Sequence, residues 1–489
     1  MSLLGIDIGT TGCKVVAFQE TGTVLAQETA EYPLAFPKSG WVELDASVVW
    51  EKLVRCIRSV AARTRRDPIK ALSISSQGEA FLPVDASGNP LARSIVTFDN
   101  RAVRQVKWWK RQIGRSEMFR RTGMPLSAMG TLPKLHWLLQ HMSSLRLQTR
   151  FFLCFHDFVV MKLGLPPVID YSLAARTMMF DVNTLKWSSR ILDKIEVKQD
   201  QLAEAVPSGS VVGQLSDRPA AFLGLPKGVV VVAGGHDQPC GAFGAGVIRT
   251  GEAAYAIGTV ECITPVFERV RPTLSLLKNN LCFYPHVVPN RFVSLAFNFT
   301  GGSLLRWYRD TFGGEYQEVV RGSSSRPTSL LVLPHFTMTG TPSLDPHSKG
   351  VIVGLQLSTT KGQITRALLE GVTMEMRLNV ELLSRGGIST RRFRAVGGGS
   401  KSPIWMQMKA DILNRPIDVM KVTEASCLGA ALLAGTALGI YRSHVEAVQV
   451  AVKKARTYEP HRPRSRYYTE RFELYKQLYP TLSPILHAM

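Results

Sequence analysis

The sequence predicts an α/β protein built as two related lobes, and three observations carry that expectation. The first hundred residues alternate apolar strand runs with a helical pattern, the order that gives a sheet covered by helices. A strand, a Gly/Thr turn and a second strand occur twice. Near the start they are Leu3–Ile8, Gly9-Thr10-Thr11-Gly12 and Lys14–Phe18; past the middle they are Glu252–Ile257, Gly258-Thr259 and Cys262–Phe267. Three glycine-rich turns, at 9–12, 234–235 and 397–399, each follow an apolar strand. The division falls near residue 245, giving one lobe over 1–245 and another over 246–489.

The elements follow in order. After the first two strands, Val24–Thr29 reads as a third, following Thr21-Gly22. Asp45-Ala46-Ser47 then caps a helical pattern from Val48 to Arg63. Ala71–Ser75 is a short strand that ends at Ser76-Gln77-Gly78-Glu79. Val229–Ala233 is a continuous apolar run, as a strand buried on both faces requires, and it meets Gly234-Gly235-His236-Asp237-Gln238. In the second half, helices are expected over Ser303–Asp310 and Lys361–Gly386. Arg394–Val396 leads into Gly397-Gly398-Gly399-Ser400 and a helix from Pro403 to Leu413, an arrangement that turns backbone N–H groups toward an anion. Cys427–Tyr441 is apolar but short for a bilayer span and reads as a buried helix. The basic, aromatic tail from Lys453 is expected to wrap the second lobe.

Composition excludes several classes. The 489 residues are 45% hydrophobic and 20% charged, ordinary globular usage that leaves no room for disorder or collagen. The opening MSLLGIDIGTT lacks the basic start of a signal peptide. Seven cysteines include no CxxC pair, and ten histidines show no zinc-like spacing. A cytoplasmic protein with no membrane partner is expected. Lys plus Arg outnumber Asp plus Glu by 59 to 38, for a net charge of +21. That field attracts anionic ligands. The basic residues are scattered, however, and no nucleic-acid motif accompanies them, so no nucleic-acid role is expected.

The chemistry points to phosphate. No Gly-Lys pair exists, so there is no Walker A loop, and GxGxxG before a helix is missing too. In Asp7-Ile8-Gly9-Thr10-Thr11-Gly12-Cys13-Lys14 the glycines expose N–H groups, Thr10 and Thr11 add hydroxyl donors and Lys14 adds charge. Asp7 could hold Mg²⁺ through water. Taken alone, the stretch also fits an ordinary hairpin turn. Asp237 at a strand end, with glycines opening space beside it, suits a general base, although it could merely cap the next turn. His236 reads as a structural neighbour.

These residues add up to a resemblance. Met129 to His141 matches the first signature of the FGGY carbohydrate kinases at every constrained position. Gly350-Val351-Ile352-Val353-Gly354-Leu355, continuing through Gln363-Ile364 to Ala367 and Glu370, is similar to the second, departing at Leu368. Asp7 to Thr11, Gly40-Trp41-Val42-Glu43, Asp170-Tyr171-Ser172, Gly235 to Gln238 and Gly397 to Ser400 keep the family's order. The resemblance implies two ribonuclease-H-like lobes of the actin and hexokinase type around a hinged cleft, and ATP-dependent phosphorylation of a sugar or polyol with Mg²⁺. It places Thr10, Thr11 and Lys14 at the ATP phosphates and Asp7 at the metal. Gly258, Thr259 and Gly302 flank the phosphates, and Gly398, Gly399 and Ser400 lie along the adenosine. Pro403 stands where some relatives carry an Asn that touches adenine. Asp237 takes the place of the general base, with Gln77, Glu79, Phe98 and Gln238 beside the acceptor.

The acceptor pocket resembles no single subgroup. Xylulokinases usually hold a Met-His pair where this chain has Gly78-Glu79, and glycerol kinases an Arg-Glu pair, of which only Glu79 matches. Gly397–Gln407 resembles the xylulokinase adenosine motif. A ketopentose such as D-xylulose is the expected acceptor, with erythritol, glycerol, ribulose and gluconate as alternatives, and a homodimer is allowed. Glu79 would accept hydroxyl hydrogens, or else pair with a nearby Arg such as Arg101. A non-catalytic sugar- or nucleotide-binding regulator would have been free to lose Asp7, Thr10, Thr11 and Asp237, and all four are present.

Overall fold

A computed structural model describes residues 2–268, 272–315, 320, 322, 323 and 325–489. In the first half, β1 (Ser2–Ile8), β2 (Gly12–Gln19) and β3 (Val24–Glu31) form an antiparallel meander. Helix α1 (Ala46–Arg63) covers β2 and β3 and leads to β4 (Ile69–Ser76), which lies parallel to β1. Among the helices that follow, α2 (Val103–Gln112), α3 (Thr131–His141) and α4 (Tyr171–Arg176) bear on the site. The half closes with β5 (Val211–Gln214), β6 (Val230–His236) and α5 (Asp237–Gly244). The sheet order is β5-β6-β4-β1-β2-β3, with β6 parallel to β4 and β5 antiparallel to β6.

The second half repeats this plan. Strands β7 (Glu252–Ile257), β8 (Glu261–Phe267) and β9 (Ala296–Asn298) form the antiparallel meander. After α6 (Gly302–Phe312) and the long α7 (Lys361–Arg385), β10 (Arg392–Val396) pairs parallel to β7. Then come α8 (Pro403–Leu413), β11 (Ile417–Met420), α9 (Ala425–Ala437), β12 (Lys454–Tyr458) and the tail helix α10 (Arg462–Ala488). β11 lies parallel to β10, and β12 antiparallel to β11. Strand order and sense therefore match between the sheets, three antiparallel strands followed by two parallel ones and an antiparallel edge.

Local chemistry explains the elements that position the cleft. Asp45 caps α1 by accepting the Ser47 N–H at 2.9 Å, and Val49, Leu53, Ile57 and Val60 form its buried stripe. A reciprocal Thr360/Gln363 capping box starts α7. Helix α9 comes from the second half of the chain yet packs on β1, β4 and β6 of the first sheet and crosses α5. Its approach is close enough that a Cβ on Gly5 would lie 1.9 Å from the Cys427 carbonyl oxygen. The tail helix packs on α8 and α7 as expected, and buries Tyr468, Phe472 and Tyr475 at helical spacing. None of the described helices is long and apolar enough to cross a membrane.

The strand into Asp237 differs from the sequence expectation. β6 does not stop at Ala233 but runs through Gly234 and Gly235 to His236. A Cβ at Gly234 would sit 1.9 Å from the Ile74 carbonyl oxygen, so this glycine serves strand-to-strand approach rather than a turn.

Candidate active site

The register of β1 and β2 sets Asp7 opposite Lys14 at the open end of the first sheet. Between them the turn closes with the Gly9 N–H donating to Gly12 O at 2.9 Å. Gln77, just past the end of β4, clasps this turn: Thr10 Oγ1 donates to Gln77 Oε1 at 2.9 Å, and Gln77 Nε2 donates to Gly9 O at 3.1 Å. Thr11 is exposed. Asp7 Oδ1 accepts from Ser75 Oγ at 2.8 Å, and burial pushes its carboxyl up to about 6. Lys14 Nζ reaches Glu424 Oε2, just before α9, at 2.5 Å.

Asp237 opens α5 at the end of β6. Its Oδ1 makes no hydrogen bond and lies 3.1 Å from His236 Nε2. The His236 ring is fixed from behind, with Nδ1 2.9 Å from Tyr284 Oη, while its backbone N–H donates to Ser172 Oγ at 2.9 Å. Burial holds the imidazole well below its usual range, so it is neutral. Burial, reinforced by the charge of Asp7, raises Asp237 to about 7. Asp7, Lys14, Asp237, Gln238, Gly258, Thr259, Gly397 and Glu424 all line one cleft of about 290 Å³ between the sheets.

From the other side, Gly258 and Thr259 are gripped by the start of α6. Gly302 N–H donates to Gly258 O at 2.8 Å, and Gly301 and Ser303 donate to Thr259 O at 3.0 and 3.2 Å. Gly397 has φ +91°, which glycine alone adopts readily. A short 3₁₀ turn, Gly398–Lys401, then separates β10 from α8, and Ser400 Oγ donates to Gly397 O at 2.7 Å. A Cβ on Gly398 would meet nothing within 4 Å, whereas one on Gly399 would strike Ile257 at 2.3 Å. Gly398 thus borders open space and Gly399 serves packing.

The residues expected beside the acceptor hold a correction. Arg101 does not pair with Glu79; it binds Asp99 at 2.7 Å and Glu43 at 2.9 Å. Glu79 instead pairs with Arg176 through Oε1 and accepts from Thr97 Oγ1 at 3.0 Å through Oε2. Its backbone is left-handed, φ +56°, an unusual state for Glu that the α3 contact of Thr131 Oγ1 with Glu79 O at 2.9 Å helps to hold. Glu79 and Arg176 line a second cavity with Met124, Ser127 and Cys282. Phe98 is 42% exposed and lines neither this cavity nor the cleft.

Sequence reasoning missed Arg176, Glu424 and Tyr284. A signal for the first existed: Asp170 accepts the Ser172 and Leu173 N–H groups, capping the helix whose last residue is Arg176. A Cβ on Gly78 would lie 3.2 Å from Arg176 Cγ and 2.9 Å from His236 Nε2. The volume that residue 78 vacates is therefore occupied by these two side chains.

Among the described residues no group of three or more His, Cys, Asp or Glu could cage a metal. Asp7 fits Mg²⁺ nonetheless. Its carboxylate lines the cleft, with Oδ1 taken by Ser75 Oγ and the carboxylate of Asp237 bordering the same space. Mg²⁺ commonly takes one or two carboxylates, with water and phosphate oxygens completing its shell.

Residues 2–244 match the FGGY family of carbohydrate kinases, N-terminal domain, and residues 272–438 match its C-terminal domain. A xylulose kinase of Staphylococcus epidermidis is 29% identical over 485 residues, covering 98% of this chain and 96% of the relative. A glycerol kinase of Citrifermentans bemidjiense is 31% identical over 483 residues, covering 95% of each. The ligand-bound xylulose kinase from Lactobacillus acidophilus superposes with a TM-score of 0.91 at 25% identity, covering 99% of this chain and 98% of that one.

Proposed function

Because the chain belongs to the FGGY family of carbohydrate kinases, we propose that it transfers the γ-phosphoryl group of Mg·ATP to a hydroxyl of a ketopentose of the D-xylulose type, with Asp237 as general base. One observation supports this reading: Asp237, a desolvated carboxylate raised to about 7 and held beside the neutral His236 ring, lines the same cleft as Asp7, Lys14 and the Gly258-Thr259 turn. Gln238 borders the same space, and Glu79 and Gln77 stand on the β4 side. On the same reading the chain divides near residue 245 into an acceptor lobe and a nucleotide lobe. The seven cysteines, all free and buried, suit a reducing cytoplasm.

In the reaction, Asp237 accepts the proton of the acceptor hydroxyl while that oxygen bonds to the γ-phosphorus. The bond from phosphorus to the bridging oxygen breaks and ADP leaves with the electron pair. The protein's task is alignment and charge neutralisation. Lys14 and the N–H groups of the 9–12 turn provide positive potential, and Gln77 keeps that turn in shape. Asp7 would hold Mg²⁺, which supplies neutralisation of phosphate charge when bound. Closure of the two lobes would exclude water from the γ-phosphate.

A second acceptor class, a polyol of glycerol type, is favoured by one feature: Arg176 brings a guanidinium to Glu79 although position 78 is glycine. An ADP-release screen across ketoses, aldoses, polyols and aldonic acids separates the two. Turnover on a ketopentose at least tenfold above all others supports the first reading. No ADP release with any acceptor would remove the kinase assignment.

A further inference from the structure

A groove of about 720 Å³ runs between α2 and α3, apart from the cleft and the acceptor cavity. On α2, Arg104, Lys107, Trp108 and Arg111 fall at i, i+3, i+4 and i+7 and share one face toward it. Arg104, Lys107 and Arg111 are exposed, and none makes an ion pair or side-chain hydrogen bond with any described residue. No Asp or Glu lines the groove. Three like charges on one helix face repel each other, so this face is favoured by an anion that bridges them.

The groove wall adds an independent sign of a ligand. His136 on α3 is 5% exposed and its Nδ1 has no hydrogen-bond partner; Gln105 is 6% exposed and its Oε1 has none either. Both line the groove. Buried polar atoms are normally satisfied, and a pair of orphans in one concave wall marks a place where a polar group belongs. The size lies within the range of small-molecule sites. The aromatic faces argue against a single-stranded nucleic acid: Trp137 is stacked on His141 at 4.1 Å and has the Arg101 guanidinium 5.0 Å from its ring. It is thus no free platform for stacked bases.

We propose that this groove binds a small phosphorylated anion, with Arg104, Lys107 and Arg111 taking the phosphate oxygens and His136 a polar group of the ligand. The chemistry is that of a diphosphate or a phosphate ester, whether carried by a nucleoside or by a sugar.

The test titrates inorganic pyrophosphate into the full-length protein at fixed ionic strength, by calorimetry, and repeats it on R104A/K107A/R111A. All three side chains are exposed, so the variant is expected to fold, and its kcat and KM for the acceptor should stay at wild-type values. The groove component of binding should weaken at least tenfold in the variant, and pyrophosphate should raise the Tm of the wild type more than that of the variant. Parallel arms with uridine diphosphate and ribose 5-phosphate distinguish the nucleoside and sugar sources. Equal pyrophosphate affinity in both proteins, or no saturable groove component at all, would overturn the proposal. So would an RNA dodecamer that binds the wild type and not the variant while pyrophosphate, uridine diphosphate and ribose 5-phosphate show no groove component, since the face would then serve a nucleic acid.

Discussion

Asp237 is held in a state that costs stability near neutral pH and that the proposed base chemistry would use. An amide at this position is nearly isosteric but cannot accept a proton, so Asp237→Asn should abolish turnover while leaving ATP affinity within about twofold; the loss then belongs to the transition state alone. Turnover at the wild-type rate would move the base elsewhere. The same change has a pH signature in the free protein. Folding raises the Asp237 carboxyl from 3.8 to about 7, so the folded state binds the extra proton. Its stabilising contribution is complete below pH 3.8 and is lost as pH rises through about 7. Asp237→Asn should therefore melt higher than wild type at pH 8, and the difference should shrink toward pH 4. Glu79 gives a second prediction at this scale. Breaking a buried pair typically costs about 3–5 kcal/mol, so Glu79→Gln should lower Tm and also raise KM for the acceptor, with KM for ATP unchanged. Adding Arg176→Met should recover Tm and leave the acceptor KM high. Parallel losses for both substrates in the double variant would give Glu79 a structural role only.

At the scale of elements, α5 and α9 carry the constraint. A Cβ on Gly429 would lie 1.9 Å from the Cys240 carbonyl oxygen, and one on Gly244 equally close to that of Ala425. These contacts are backbone against backbone, which no rotamer change relieves. Overpacking of this kind costs roughly 1–3 kcal/mol or more. Gly429→Ala should therefore shift the urea midpoint down and reduce kcat, because α9 is preceded by Glu424, the partner of Lys14. An unchanged midpoint would show that the two helices can separate freely. The sequence made the strands and helices visible because their periodicity is local: β7 and α8 fall where their patterns place them. Relations across the sheet were not visible. Gly234 looked like a turn because nothing along the chain records that Ile74 passes beside it. Motif order brought Asp7, Lys14, Asp237 and the Gly258-Thr259 turn into view, and the fold sets them around one cleft. Arg176 could not be assigned to Glu79, 97 positions away, since several arginines competed for the role. The fully buried Lys409–Glu261 ion pair, at 2.7 Å, was unreadable for the same reason.

For the whole molecule, the net charge of +21 is the property that local contacts leave unexplained. The cleft itself is not strongly basic: Lys14 is balanced by Glu424, and Asp7 and Asp237 add negative character once ionised. Attraction of ATP must then come largely from the surrounding field, with the anionic nucleotide drawn in from a distance. Such a field is screened over about 10 Å at 0.1 M salt. A neutral sugar feels none of it. Raising NaCl from about 20 to 300 mM, well past that screening regime, should lower kcat/KM for ATP several-fold, measured at saturating acceptor. Over the same range kcat/KM for the acceptor, at saturating ATP, should change less than twofold. Reducing the surface charge without touching the cleft should imitate salt: R63E/R66E, two exposed residues of the first lobe, should flatten the salt dependence for ATP while leaving the acceptor data unchanged. If both specificity constants fell together, salt would be acting on the fold or on lobe closure. If neither moved, nucleotide capture would rest on contacts within the cleft, and the excess of basic residues would have no part in it.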